Sequence, residues 1–332
     1  MIFRTEIELK KAAFGITYAD RLFFLGSCFS SNMAEQLQTR KFPLMVNPTG
    51  VLFNPCSIAN LLLRVIENEP FKPEDTFLSD GIWRSFHLHS SFASTRQDEL
   101  LSQANTAIEE AHRFLKKTTV LFITLGTAWA YRLKRTNEVV ANCHKEPASS
   151  FERFRLTPDE VVAELLPAIQ QLIEQNKKIN IVFTVSPIRH WKDGAHGNQL
   201  SKSTLLLATE QLADLFPSNV HYFPSYEIMM DDLRDYRFYA DDMLHPSDEA
   251  IRYIFELFGK AYFSKETLKD MEDIRSVVQA SQHRPLNPKS FSFQLFREKT
   301  LRKIEELEQK FPFLDFGREK AQMNGEANRK TI

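Results

Sequence analysis

The chain of 332 residues is 43% hydrophobic and 26% charged, and its 42 Lys and Arg nearly balance 43 Asp and Glu, for a formal net charge of -1. That length suffices for one large α/β domain or two smaller ones with a sizeable core, and the balanced charge excludes a binder that works mainly by neutralising nucleic-acid phosphates. With 10 glycines, about 3% against a usual share of about 7%, and no G-x-G-x-x-G or G-x-x-x-x-G-K-S/T stretch, dinucleotide and P-loop sites have no support and no cofactor is expected.

Three cysteines, Cys28, Cys56 and Cys143, are too few for a disulfide framework and fit a reducing compartment. The first ten residues, MIFRTEIELK, offer no apolar h-region, so no signal peptide is expected. No uninterrupted apolar run approaches the roughly 18 residues a membrane span needs. A soluble cytoplasmic protein with no membrane span is the expectation. The 28 phenylalanines fit a well-packed interior.

Along the chain, short apolar runs alternate with amphipathic helical stretches. Leu22–Leu25 (LFFL) reads as the first buried strand, followed by helices over Ser30–Arg40, Ser57–Glu67 and Asp98–Lys117. Thr119–Leu125 is the second such strand. A hairpin then interrupts the pattern, with Ala130–Leu133 and Val139–Ala141 around a polar turn at Arg135–Glu138. Thr157-Pro158-Asp159-Glu160 sets a cap, a proline and first-turn acids at the head of a helix to Gln175. Strand Ile179–Val185, helix Leu200–Leu215, strand Val220–Phe223 and helix Asp248–Tyr262 complete the alternation. Strands apolar throughout, each followed by a helix, predict a mostly parallel sheet covered on both faces. Phe293–Lys310 predicts a charged amphipathic helix that packs outside or makes a contact between copies of the chain, and the polar stretch after Gly317 predicts a disordered tail. The expected division is one domain over residues 1–290, an appended helix over 291–316 and a tail over 317–332.

Two segments carry the main chemistry. Leu25-Gly26-Ser27-Cys28-Phe29-Ser30 runs from a strand end into a helix, at the carboxyl edge where open α/β sheets place their sites. The partial positive charge of a helix N-terminus can lower a cysteine pKa below about 8.5, which makes Cys28 a sensible nucleophile. The same residues also fit a small buried Cys28 with Ser27 or Ser30 capping the helix, or Ser27 as the nucleophile after a one-residue shift. Asp241-Asp242-Met243-Leu244-His245-Pro246-Ser247 sets a carboxylate three residues before a histidine, which can orient the imidazole as a general base; Pro246 is expected to start the next helix. Standing alone, this pattern equally describes a capping loop with a structural histidine.

Gly26-Ser27-Cys28-Phe29-Ser30 resembles the name-giving motif of the GSCFA family, with Ser30 in place of the final Ala. Further GSCFA-like stretches are Asn47–Gly50, Leu125–Trp129, Ala141–Lys145 and Asp193–Lys202, so that the resemblance runs from about Phe3 to about Phe263. That family is similar to the SGNH/GDSL hydrolases. The likeness implies a three-layer α/β/α sandwich with a flavodoxin-like sheet, with Cys28 as nucleophile and Asp242 and His245 as the other triad members. It further implies an ester or thioester hydrolase or acyltransferase acting on a small-molecule or O-acylated saccharide substrate. The oxyanion hole of the SGNH hydrolases implies donors from the Gly50 N–H and from a Gly-x-Asn motif. Here Gly126-Thr127-Ala128 has Ala where the Asn should be. The Cys28 N–H, the Trp129 indole or the Asn142 amide can substitute. A non-catalytic small-molecule or glycan-binding protein on a degenerate fold of this kind is the rival expectation.

Several residues admit a pocket role. Cys143-His144 follows the hairpin as a pocket-lining loop, Asp193–Asn198 with His196 suits a lid or substrate-binding loop, and Arg189, His190 and Lys202 offer cations for a phosphate or carboxylate. His87 and His89 in RSFHLH share one face of a strand-like run. Without C-x-x-C or H-E-x-x-H, however, no metal is expected.

Overall fold

The computed structural model describes residues 5–325. Five parallel strands, β1 (Leu22–Gly26), β2 (Leu44–Val46), β5 (Val120–Leu125), β9 (Asn180–Val185) and β10 (Val220–Tyr222), lie in the order β2-β1-β5-β9-β10. Counted along the chain this is second, first, third, fourth, fifth, which is the flavodoxin-like order. In register, Phe24 stands beside Phe122 and Val46, and Phe122 beside Val182.

Because side chains alternate along a strand, an all-apolar strand feeds two cores. Phe23 and Leu25 with Leu121, Ile123, Ile181 and Phe183 face α2 (Pro55–Glu67), α3 (Gln97–Leu115), α4 (Pro158–Gln175), α5 (Gly194–Leu215) and the short α6 (Ser225–Glu227). Leu22, Phe24, Val120, Phe122 and Val182 face α1 (Cys28–Gln38), α7 (Asp248–Tyr262), α8 (Lys265–Ser281) and α9 (Phe291–Lys310). Each such side chain, fully withdrawn from water, contributes about 1.5–3 kcal/mol. The three-layer α/β/α sandwich follows directly from this two-sided burial.

Outside the main sheet, β3 (Phe77–Ser79) and β4 (Ile82–Arg84) form a hairpin, while β6 (Trp129–Leu133), β7 (Glu138–Val140) and β8 (Phe151–Arg155) form an antiparallel sheet in the order β7-β6-β8. The hairpin expected around Arg135 is β6–β7. The strand-like run expected at RSFHLH stops at Arg84: His87 lies in a turn and His89 accepts the Ser91 N–H at the start of a short 3₁₀ turn. Thr157 and Glu160 make the expected reciprocal cap on α4.

Of the C-terminal expectations, that of the helix packing outside is met and that of the tail needs correction. α9 inserts Ile304 and Leu307 into the same core as α1 and α7, so its inward face is used within the chain. The tail expected to be disordered from Gly317 instead begins with α10 (Gly317–Met323). Its anchors are Phe316, fully buried, Met323, and Glu319, whose carboxylate lies 2.8 Å from the Lys41 ammonium. A polar composition masked three well-spaced anchors. Residues 326–332 of that tail lie outside the described residues. No described helix is long and apolar enough to cross a membrane.

Candidate active site

The chain passes from β1 outward to β2 and then crosses to β5 on the other side of β1, which opens a crevice at the carboxyl ends of β1, β5 and β9. β1 ends at Gly26 and α1 begins at Cys28, two residues earlier than the spacing suggested, so the thiol sits on the first residue of the helix. Ser27 occupies the N-cap position, yet its hydroxyl makes no cap bond and is buried without a partner among the described residues. Ser30 Oγ donates to the Leu25 carbonyl at 3.0 Å.

On the far side of the crevice stands the loop before α7. Asp242 Oδ1 accepts the N–H groups of Leu244 and His245, each at 2.9 Å, and Oδ2 lies 2.5 Å from His245 Nδ1. These backbone donors, followed by the imidazole, hold the Asp242 carboxyl at about 2. An ionised Asp242 accepts from Nδ1–H, so in the neutral imidazole it favours the tautomer whose Nε2 keeps the lone pair a base needs. The loop is fixed from its flank, since Ala240 N–H donates to the His245 carbonyl and Ser247 N–H to the Phe238 carbonyl, each at 2.8 Å. Ser247, not Pro246, caps α7, by accepting the Ala250 N–H; Pro246 instead bridges to Tyr239.

Ser27, Cys28, Arg189, His190 and His245 line one cavity of about 300 Å³, together with apolar walls from Phe53, Ile188, Trp191 and Leu244. The crevice thus joins the first and last of the sequence-predicted segments. Burial pushes the Cys28 thiol above its ordinary value, and this outweighs the Cys28 and Phe29 N–H groups and the Lys202 ammonium, which favour the thiolate. The expected depression of the Cys28 pKa is therefore reversed: the helix end helps, but desolvation is the larger effect. Alkylation of Cys28 should accordingly rise with pH through a midpoint above about 8.5, with Cys56, pushed up to about 12 by burial, reacting last. Peptide-mapped alkylation between neutral and strongly alkaline pH checks the order; a Cys28 midpoint below that of a free cysteine would refute it.

Lys202 shows only weakly in the sequence as part of this site. It is fully buried on the inner face of α5 and donates to the Gly126 and Ser186 carbonyls, both at 2.7 Å, which ties the ends of β5 and β9 together. Burial pulls its pKa down to about 7. Its signal in the sequence is a lysine in register with Asn198, Ser201 and Leu205, all on the buried face of the helix. His190, lowered to about 4 by burial with Lys202 next, is neutral at physiological pH.

Other candidates fall elsewhere. The Gly50 N–H, expected as an oxyanion donor, is given to the Asn47 carbonyl at 2.8 Å, while Asn47 Oδ1 accepts the Gly26 N–H at 2.9 Å. Asn47–Gly50 is thus a brace for the end of β1, and Gly50 (φ +93°) is required because a Cβ would lie 2.1 Å from His89 Cβ. Gly126 N–H is bonded to the Phe53 carbonyl at 2.9 Å, and Ala128, fully buried, gives its N–H to Ser201 Oγ at 2.8 Å. Trp129 lies beneath Arg153, whose guanidinium is 4.2 Å from the ring centroid; its indole N–H is buried without a partner among the described residues and does not line the cavity. Asn142 accepts the His144 N–H, and His144 Nε2 donates to the Ser85 carbonyl among Phe77 and Phe86, so this loop belongs to the β6–β8 side of the molecule. The lid expected over Asp193–Asn198 is instead the first turn of α5, anchored by Asp193 to Arg153 and by Asn198 Oδ1 to the His190 N–H; His196 is exposed on it. Ser186 and residues 188–192 line the cavity in its place. Among the described residues no group of three or more His, Cys, Asp or Glu side chains is placed to hold a metal.

A flavodoxin-like α/β/α protein with a cysteine at a helix start, facing an Asp–His pair across the carboxyl edge of its sheet, is the class this geometry defines. The family model of the GSCFA family matches residues 21–258, and that of the GSCFA domain protein, C-terminal domain, matches residues 274–328. The chain belongs to the GSCFA family. Comparison with curated proteins finds no match.

Proposed function

We propose that the protein is an acyl hydrolase or acyltransferase acting on ester or thioester substrates, saccharide esters among them, with Cys28 as nucleophile. The observation that carries this reading is a single cavity lined by Cys28 and His245, whose imidazole is held by an ionised Asp242. Because the resting thiol is not pre-ionised, His245 Nε2 takes its proton as sulfur adds to the acyl carbonyl carbon. The tetrahedral oxyanion forms beside the start of α1, where the Cys28 N–H and the helix dipole favour negative charge. Collapse breaks the bond to the leaving oxygen or sulfur, which receives the proton from His245 and leaves an acyl thioester on Cys28. Water or an acceptor hydroxyl, deprotonated by His245, then releases the acyl group. Three free cysteines suit the reducing, cytoplasmic setting that such a thiol needs.

A second reading, a non-catalytic binding protein on the same fold, draws support from the bonded N–H groups of Gly50, Gly126 and Ala128, which leave few oxyanion donors. Loss of one such donor typically costs about 10²- to 10³-fold in rate. Incubation with 4-nitrophenyl acetate followed by intact-mass and peptide analysis separates the readings. The expected result is one acyl group on the Cys28 peptide, absent in Cys28→Ala. Acylation of Ser27 instead would support the shifted nucleophile, and no adduct with release only at the background rate would hand the site to the binding reading.

A further inference from the structure

The Cys28 cavity adjoins a second one of about 530 Å³, lined by Arg234, Asp235, Tyr236 and Asp242 among others. Arg189, Trp191 and Leu244 belong to both linings, so they form the sill between the two. The charges around this double cavity are almost all matched from within the protein. Asp242 holds His245, Arg234 bonds Asp231 at 3.0 Å, Arg237 lies 3.7 Å from Asp235, and Lys192 donates to the Tyr131 hydroxyl at 2.7 Å. Lys202 spends two donors on backbone carbonyls beneath the floor.

Arg189 is the exception. Among the described residues it has no ion pair and no hydrogen bond, and its Nε–H is closed off from solvent without an acceptor. Its guanidinium is 5.2 Å from the centroid of Trp191, an exposed ring, in a cation–π contact that leaves the fork free. Among the described residues no acidic side chain lines the Cys28 cavity, and the Asp235 and Asp242 of the adjoining one are matched to Arg237 and His245. A closed-off Nε–H without an acceptor is costly, and the free fork of this half-buried side chain matches two oxygens of a carboxylate or phosphate.

We propose that the acyl substrate carries an oxyanion group, a carboxylate or a phosphate, and that Arg189 holds it on the sill while the acyl carbon meets Cys28. This narrows the anion-binding set suggested by the sequence from three cations to one, since Lys202 is spent on the backbone and His190 is uncharged. Trp191 would cover the apolar part of the same substrate. Arg189 is here a binding residue: it selects the substrate and takes no part in proton transfer. The inference rests on the Cys28 reading above.

Charge-selective alkylation tests it without requiring turnover. Iodoacetate and iodoacetamide deliver the same carbon to Cys28, one with a carboxylate and one without. The ratio of their rates at Cys28 should fall about tenfold in Arg189→Gln, the scale of electrostatic enrichment in a charged cleft, and should recover in Arg189→Lys, with thermal unfolding confirming that both variants are folded. Paired substrates then locate the anion. Preference for 4-nitrophenyl hydrogen glutarate over 4-nitrophenyl butyrate places a carboxylate on the acyl side, and preference for acetyl coenzyme A over S-acetyl-N-acetylcysteamine places phosphate on the leaving side. Either preference, lost in Arg189→Gln, supports the proposal. Cys28 reacting with an unchanged ratio, together with no preference within either pair, overturns the anion and leaves the catalytic reading standing. A Cys28 inert to both reagents, with no turnover of any substrate, overturns both.

Discussion

His245→Ala is expected to lower kcat/KM on an activated thioester by about 10²- to 10⁴-fold, the usual contribution of a positioned general base, while the protein stays folded. The expectation is large because of the state of Cys28. Burial keeps its proton on sulfur near neutral pH, and the helix N-terminus and Lys202 reduce that effect without cancelling it. Nucleophile formation must therefore be coupled to proton transfer, and of the two histidines that line the cavity His245 is the one held by a carboxylate, while burial weakens His190 as a base to about 4. The fold should tolerate the change, since the His245 side chain is 48% exposed and the loop is held through backbone groups of Ala240 and Ser247. Asp242→Asn should lower the rate as well, because the amide no longer demands the Nδ1–H tautomer. Steady-state rates of wild type and both loop variants, each normalised to alkylatable Cys28, decide the matter, with Cys28→Ala at equal protein concentration giving the background. Equal rates in wild type and His245→Ala would remove His245 from the mechanism.

The largest effect on stability is expected at Gly26, where Gly26→Ala should cost about 3 kcal/mol or more through backbone strain and a backbone clash. Gly26 has φ +121°, and a Cβ built there lies 2.1 Å from the Thr124 carbonyl oxygen and 2.8 Å from its carbon. The obstacle is the backbone of the central strand β5, which cannot swing aside as a side-chain tip can. Gly26 also donates to Asn47 Oδ1 and accepts the Leu52 N–H at 2.9 Å, so any shift displaces both sides of the turn that presents Ser27 and Cys28. Urea unfolding measures the loss directly, and a midpoint equal to wild type would show that the β1–β5 junction is softer than this packing implies.

Gly26 also illustrates what could be read before folding and what could not. A glycine between an apolar run and a helix start announces a tight strand-to-helix turn, but the strand it must abut lies about a hundred residues further on. The missed elements divide in the same way. β2 is only three half-buried residues and β8 sets two phenylalanines among three charged residues, so neither has the long apolar run that marked β1, β5 and β9. α8 did carry a signal, with the Ser264 cap and buried Thr267, Met271, Ile274 and Val277 at helical spacing, diluted by charged residues on its outer face.

The sequence by itself determined the two-sided sheet, because all-apolar strands have no water-facing side to spare. It also determined the two chemical segments, because a cysteine at a strand-to-helix turn and an Asp-x-x-His loop are local patterns whose meaning depends on a few adjacent residues. Only the tertiary structure decided which backbone N–H groups remain available. Gly50, Gly126 and Ala128 spend theirs on partners at Asn47, Phe53 and Ser201. It likewise decided that the Cys28 thiol is raised, that Lys202 lies beneath the crevice and that Arg189 stands unmatched on its sill. Hydrogen-bond allocation, desolvation and charge balance are sums over neighbours brought together from distant parts of the chain, and no window of the sequence contains those sums.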